Sequence, residues 1–493
     1  MKLGRPRLRD TLRKVSQWIE ERAGIGAVVQ PILAHRVPRS TASWWYVFGS
    51  ATLALFVLQI ATGICLGLVY VPSADEAYQS LQYLNYQAPF GWYLRGMHFW
   101  GSNAMVAVMT LHMIQVFLFG AHKYPREMTW VVGCLLFLCT LGMAFTGQVL
   151  RWDQDAYWGL GISASIAARS PVIGDQVVHV LLGGPIIAGR TLSRFFAVHV
   201  FAIPGLLFAL IGLHLWLVLK IGINEWPMPG RLVNRETYRQ QYEEEVQKDG
   251  VSFFPDAARK DMVGMGVITL IVMICAAVFG PHGPRGFPDP TLIDTAPGPD
   301  FYFLALFSLF ALLPPYTETV LMLLGPPIAI GLLFVIPFIA GTGEKSWKRR
   351  PVAVLGVILI VLIVTTLAGL GLVVPWSPHM DAWSAVPTPV EYVKGRTPLE
   401  LQGALVIQNK QCRTCHALDG RGGERGPSLD GVATRLTRDQ LIRQVLQGGG
   451  NMPAYGKNLS PAEVNALVAF LETLRPRGQV PARPAVSLDP ARR

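Results

Sequence analysis

Two apolar stretches each carry a pair of histidines at almost the same interval: His98 and His112 in one, His199 and His214 in the other. Intervals of 14 and 15 residues of α-helix span roughly 21–23 Å, and steps of about 100° return both members of a pair to nearly one face. Two such helices side by side set four imidazoles as two facing couples, one near each surface of a bilayer. A lone imidazole in hydrocarbon can simply serve a neighbouring helix, but it is costly and usually marks function. Matched intervals in two separate segments select the functional reading. They describe bis-histidine ligation of two stacked haems, a path for electrons across a membrane. Gly49 and Gly63, and likewise Gly133 and Gly147, repeat the 14-residue interval in two further apolar segments. Glycine lacks a β-carbon and so admits the close approach of a porphyrin edge. Four helices wrapping two haems account for both sets.

A third centre is written in Cys412-Arg-Thr-Cys415-His416, the C-x-x-C-H signature of covalent haem attachment. The pentapeptide alone also suits a chance thiol pair or half a zinc site. Its surroundings decide for haem c. Met452 follows 36 residues after His416, where a small cytochrome needs its thioether ligand. Helical patterns flank both, at Leu399–Asn409, Arg438–Gln447 and Pro461–Leu474. These features resemble a class I cytochrome c with His416 and Met452 as axial ligands, a pairing that raises the potential.

The chain that positions these groups has 493 residues, 51% hydrophobic and 15% charged, which suits a polytopic membrane protein. Seven spans of about 20 residues are predicted, near 45–70, 97–119, 129–149, 196–219, 262–280, 318–340 and 352–374. The run Phe301 to Leu313 is too short to cross and reads as interfacial or re-entrant. The net charge of +11 does not indicate nucleic acid, because Lys and Arg gather at the N-terminus, at 122–126, in 231–260 and in 345–350. With seven spans these segments share one side, which the positive-inside rule makes cytoplasmic. The N-terminus then lies inside and the haem c tail outside. No short apolar region with a small-residue cleavage site follows the basic start, so a cleavable signal is not expected. Cys65, Cys134, Cys139 and Cys275 fall within spans and read as small hydrophobes.

The predicted fold is all-α: a membrane bundle of seven transmembrane helices followed by a small soluble helical domain. Residues 1–30 form a cytoplasmic segment, 31–225 a four-helix di-haem domain and 226–261 a cytoplasmic connection. Residues 262–374 form a three-helix domain, 375–397 a linker, 398–475 the cytochrome c domain and 476–493 a tail without a core.

Further stretches carry a likeness: Gln59-Ile-Ala-Thr-Gly63, Tyr124-Pro-Arg-Glu127 with Trp130, Phe145-Thr-Gly147 with Trp152-Asp-Gln154, Pro171-Val-Ile-Gly174, and Thr191-Leu-Ser-Arg194-Phe. Over roughly residues 30–375 the chain resembles the cytochrome b family of quinol:cytochrome c oxidoreductases, the bc-type complexes. Pro299-Asp300-Phe301-Tyr302 stands where that family has Pro-Glu-Trp-Tyr at its outer quinol site. The resemblance implies that His98 and His199 ligate a low-potential outer haem, and His112 and His214 a high-potential inner one. It makes Arg95 and Arg194 candidates for haem propionate partners, although Arg95 equally suits an interfacial anchor. The 15-residue step in the fourth span and the count of seven spans suit the chloroplast-type (bf) and related Gram-positive branch. That branch carries an extra thioether-linked haem, but Val47 stands at the position of its cysteine, so no such haem is expected.

Asp300 is the expected proton acceptor for quinol oxidation, with Tyr302 as its hydrogen-bond partner. The same Asp300 could N-cap the helix that follows, and the two roles are compatible. Asp261, in Arg259-Lys260-Asp261, matches a family position at the inner quinone site. Lys260 or Lys220 could assist proton uptake there, or could simply anchor the helix ends. The chain has no Cys-x-His…Cys-x-x-His pattern for a Rieske cluster, so a separate Rieske iron–sulfur subunit is expected. The expected acceptor is a soluble cytochrome c or a terminal oxidase. A homodimer in the cytoplasmic membrane of a prokaryote, in contact with lipid, completes the implied assembly. Two rival readings are a di-haem quinone-reactive anchor of another redox complex and a non-catalytic docking subunit.

Overall fold

The computed structural model describes residues 8–24, 26, 35–184, 186–289, 298–313, 315–373, 387–422, 426–448, 452, 454–456 and 458–476. The tail beyond 476 and most of the expected linker lie outside these residues.

Among the described residues, seven helices are long and apolar enough to cross a membrane. After an N-terminal helix α1 (Leu8–Ala23) come α2 (Phe48–Gly67), the short α3 (Ala77–Tyr86), α4 (Gly91–Leu118) and α5 (Glu127–Val149). A hairpin of α6 (Gln154–Ala168) and α7 (Gly174–Leu182) leads to the fourth span, built from α8 (Gly189–Ala197), a π turn and α9 (Ile203–Ile221). Helix α10 (Tyr238–Asp249) precedes α11 (Ala258–Phe279), the short α12 (Phe301–Leu312), α13 (Pro315–Ile339) and α14 (Pro351–Val373). The second span starts earlier than its apolar run, at Gly91, because Trp92, Tyr93 and Arg95 interrupt hydropathy without interrupting the helix.

Helices α2, α4, α5 and α9 share one core, in which Leu55, Met105, Leu136 and Leu207 meet, and Val272 of α11 joins it. The hairpin α6–α7 packs Leu160, Ala164 and Leu182 against Phe195 of α8. The π turn Val198–Ala202 contains His199, and Pro204 follows it. Pro204 offers no N–H to close a regular α turn there, and a π turn takes up one additional residue. It therefore absorbs the extra residue of the 15-residue interval and lets His199 and His214 match the 14-residue intervals of α4 and α5.

At the end of the bundle beside His112 and His214, a buried ionic cluster ties the first four spans to the last three. Lys345 Nζ, from the loop before α14, donates to Glu225 Oε1 at 2.7 Å and to Asn224 Oδ1 at 2.6 Å. Tyr238 donates to Glu225 Oε2 at 2.7 Å and accepts from Arg126. Burial alone would raise the Glu225 carboxyl. The cations Lys345, Arg126 and Arg231 outweigh that and hold it down to about 2. Lys123 caps the C-terminal carbonyls of α13, donating to Ala340 and Thr342.

The C-terminal unit has its own core, including Ile407, Leu418, Leu441, Val468 and Phe470. Its helices α16 (Pro398–Asn409), α18 (Arg438–Gln447) and α19 (Pro461–Leu471) each begin with a capping box: Thr397 with Glu400, Thr437 with Gln440, Ser460 with Glu463. The short α15 (Val390–Val393) precedes them and α17 (Val432–Arg435) lies between. Tyr392 and Val393 pack on this core although they fall in the expected linker. Gly403 lets α16 lie against Ala466 and Phe470 of α19, where a β-carbon would collide with backbone.

Candidate electron-transfer and quinol sites

Each of the four glycines faces one imidazole. A β-carbon on Gly63 would stand 3.3 Å from His98 Cε1, and one on Gly49 3.4 Å from His112 Cε1. Across α5 the corresponding distances are 2.8 Å from Gly147 to His199 and 3.6 Å from Gly133 to His214. Helices α2 and α5 thus act as rulers for the histidines on α4 and on the fourth span. The rings of His98 and His199 lie 6.4 Å apart between centroids, with their planes at 73°. Two metal–nitrogen bonds of about 2 Å, with about 1.1 Å from nitrogen to ring centre, come to about 6.2 Å. The pair therefore fits a single six-coordinate metal held between two imidazoles, as in a bis-histidine haem.

Second neighbours fix the rings. His98 Nδ1 is 2.9 Å from Thr62 Oγ1, and His199 Nδ1 is 2.9 Å from Thr146 Oγ1. Neither threonine was singled out by the histidine spacing. Their signal was the Thr-Gly pair at 62–63 and again at 146–147.

Arg95 is buried. Its guanidinium donates to Asn85 Oδ1 at 2.9 Å, Gly283 O at 2.6 Å and His282 O at 2.7 Å, clamping the segment after α11. Asp153 caps α6 through Ala156 N at 2.9 Å and accepts from Arg285 N at 2.9 Å. Gln154 pairs with both backbone groups of Asp289, at 2.6 and 2.9 Å. Arg194 is exposed, with one long bond of 3.3 Å to Val180 O.

Asp300 sits at the N-cap of α12, yet its side chain caps nothing there. Its Oδ2 accepts from the Tyr302 hydroxyl at 2.7 Å instead. Asp261 at the start of α11 accepts from Ser50 Oγ at 2.8 Å and from Lys260 Nζ at 2.6 Å. Ser50 adjoins Gly49, so this carboxylate lies beside the His112 end of the ladder. Lys220 is away from that pair and lies over the Trp216 ring at 4.6 Å. The Val47 side chain packs against Gly264 of α11.

In the C-terminal unit, Cys412, His416 and Met452 line one apolar cavity, together with Ile407, Leu429 and Leu467. His416 Nδ1 donates to Pro427 O at 2.7 Å, leaving Nε2 for a metal. Burial pushes this imidazole down from its ordinary value, towards the neutral ligand form. Gly426 keeps the space beside the ring open; a β-carbon there would stand 2.5 Å from His416 Cε1. Gln444 Nε2 approaches Met452 Sδ at 3.5 Å, a contact the sequence did not suggest. The residues present fit a covalent haem.

Residues 33–222 match the family described as cytochrome b/b6/petB. The menaquinol:cytochrome c reductase cytochrome b subunit of Bacillus subtilis (strain 168) is 40% identical over 220 residues, covering 43% of this chain and 98% of that protein. The chain belongs to the cytochrome b/b6 family. Cytochrome b6 of Synechococcus elongatus is 38% identical over 213 residues, covering 43% of this chain and 99% of that protein. Residues 400–471 match a second family, described as cytochrome C oxidase, cbb3-type, subunit III. A solved structure titled "Hyperthermophilic respiratory Complex III" superposes with a TM-score of 0.61 at 26% identity, covering 81% of this chain and 96% of that chain. This cytochrome b is therefore a multi-span membrane protein with a fused cytochrome c domain, both of haem-binding families.

Proposed function

We propose that this chain carries three haems: one between His98 and His199, one between His112 and His214, and one bound to Cys412 and Cys415 with His416 and Met452 as axial ligands. Bound there, the haems supply one-electron carriers. The observation that carries the reading is the 6.4 Å His98–His199 separation, with a glycine opposite each ladder histidine.

Oxidation of one quinol releases two electrons and two protons. Asp300 accepts a proton at Oδ2, the oxygen now bonded to Tyr302, and Tyr302 turns that carboxylate towards substrate or water. One electron would leave through a separate Rieske subunit towards Cys412, Cys415, His416 and Met452, where a covalent haem would supply the carrier. The other travels down the histidine ladder to a quinone beside Asp261, whose Lys260 and Ser50 partners hold a proton-bearing group at that end. Arg194 is exposed and available to a haem carboxylate. Basic segments put that inner end and the N-terminus in the cytoplasm of a prokaryote and the cytochrome c domain outside, so turnover moves protons outward. The working unit is a homodimer that delivers electrons to a soluble cytochrome c or a terminal oxidase. Asp300 and Tyr302 favour this over a quinone-reactive anchor or a docking subunit.

Purified complex assayed by pyridine haemochrome should give two protohaems for each thioether-bound haem. Quinol should reduce haem c only when the Rieske subunit is present. A preparation holding haem c alone, or one whose haem c never responds to quinol, defeats the proposal.

A further inference from the structure

The two hydroxyls beside the first histidine couple each have backbone carbonyls to take their hydrogen, and a ring whose Nε2 holds a metal keeps its proton on Nδ1. Thr62 Oγ1 donates its single hydrogen to Leu58 O at 2.7 Å, and Thr146 Oγ1 donates to Gly142 O at 2.8 Å. With that hydrogen committed, each oxygen accepts from Nδ1–H of the ring 2.9 Å away, His98 or His199. Both threonines are buried, at 3% and 5% exposure. Each directly precedes the glycine that faces the same ring. The second couple is built otherwise. There the residue before the glycine is Phe48 or Val132, and among the described residues no hydroxyl bonds the buried Nδ1 atoms of His112 and His214.

We propose that Thr62 and Thr146 are positioning residues that lower the reduction potential of the His98/His199 centre relative to the His112/His214 centre. The inference rests on the haem reading above. A hydrogen bond accepted from Nδ1–H makes the imidazole a stronger donor to its metal. The oxidised metal carries one more positive charge, polarises that N–H further, and gains more from the bond than the reduced metal does. Two such bonds at one centre, with no hydroxyl in the matching place at the other, set a one-way step: an electron arriving between His98 and His199 moves downhill to the inner couple.

The test uses the whole complex, with Thr62→Val, Thr146→Val and the double variant, and Thr→Ser at both positions as hydroxyl-retaining controls. Haem content is measured first, and the b centres are then titrated optically against potential. Each valine should shift the reduction equilibrium of the His98/His199 centre about threefold towards reduced, a rise of about 28 mV at about 59 mV per tenfold for one electron. The double variant should shift it about ninefold, the inner centre should stay fixed, and serine should restore the original potential. An unmoved potential in the double valine variant with both b haems retained overturns the proposal, as does an equal shift at both centres. Should the valine variants lose haem, electron–nuclear double resonance on the unaltered protein still decides. It should find two classes of exchangeable Nδ1 proton, one per centre, and a single class overturns the assignment. Absence of protohaem from the unaltered complex is a separate result: it defeats the haem reading, and this inference falls with it.

Discussion

Replacing Gly147 by alanine should disturb the His98/His199 centre, whereas the same change at Gly133 should be tolerated. The four glycines look equivalent in sequence, but the room beside them is graded. An added methyl would stand 2.8 Å from the imidazole at Gly147, 3.3 Å at Gly63, 3.4 Å at Gly49 and 3.6 Å at Gly133. Carbon atoms rest comfortably at about 3.5–4.0 Å, so Gly147→Ala overlaps by about 0.7 Å, the middle pair by about 0.1–0.2 Å and Gly133→Ala not at all. Overpacking a filled interior costs about 1–3 kcal/mol, and a metal ligand cannot turn aside without weakening its bond. All four changes gain the same helix propensity, about 1 kcal/mol from glycine to alanine, so differences within the series report the contact alone. At about 3 kcal/mol, retention of the affected haem drops by about two orders of magnitude. The assay is the ratio of protohaem to covalent haem in purified protein, followed by a redox titration that separates the two b centres. A wild-type ratio and potentials in Gly147→Ala refute the reasoning, and so does any series in which Gly133→Ala is the most damaging.

Three further outcomes are expected. Glu225→Gln leaves Lys345 and Arg126 without their buried anion and should cost about 3–5 kcal/mol, read as a lower unfolding temperature. Because the folded-state value of Glu225 is depressed to about 2, its contribution is present above the unfolded carboxylate range and fades as pH falls from there towards 2. The Gln variant should accordingly lose less stability over that acid interval. Asp300→Asn should slow quinol-driven reduction of haem c about 100-fold or more with all three haems retained; an undiminished rate removes Asp300 from the reaction. Met452→His should lower the potential of the covalent centre and leave both b centres unmoved, and an unchanged covalent centre would mean that Met452 is not its ligand.

Most of the architecture was legible because membrane spans obey a strong constraint: about 20 apolar residues in a row have few other uses. The spans, the short α12 and the helices of the cytochrome c unit follow their sequence patterns closely, since capping residues such as Thr397 and Ser460 mark the latter's starts. The spacing of histidines and glycines was legible for the same reason, because a straight helix converts sequence interval directly into distance. What spacing could not supply was direction. That the glycines make room for imidazoles, and that Thr62 and Thr146 reach Nδ1, depends on rotamers and helix rotation that no one-dimensional pattern contains. The buried Glu225 cluster was not legible because its members are scattered from Arg126 to Lys345 and its cations read individually as positive-inside charges.

The 15-residue interval shows how a departure from a pattern can itself carry information. On a regular helix His214 would stand about 1.5 Å too far along and about 100° out of register with a 14-residue partner. Gly133 and Gly147 keep 14 residues between them on α5, so the mismatch has to be absorbed between His199 and His214. It is absorbed at one end, in the π turn Val198–Ala202 beside Pro204. The irregular turn therefore lies on the side of the clamped segment held by Arg95, Asp153 and Gln154. The opposite end of the ladder sits on regular helix. Backbone irregularity within the ladder thus falls at the end where quinol is proposed to be oxidised, the end at which two electrons must part. At the other end regular helix holds the histidines, and the polar groups lie beyond them, in the Glu225 cluster and at Asp261.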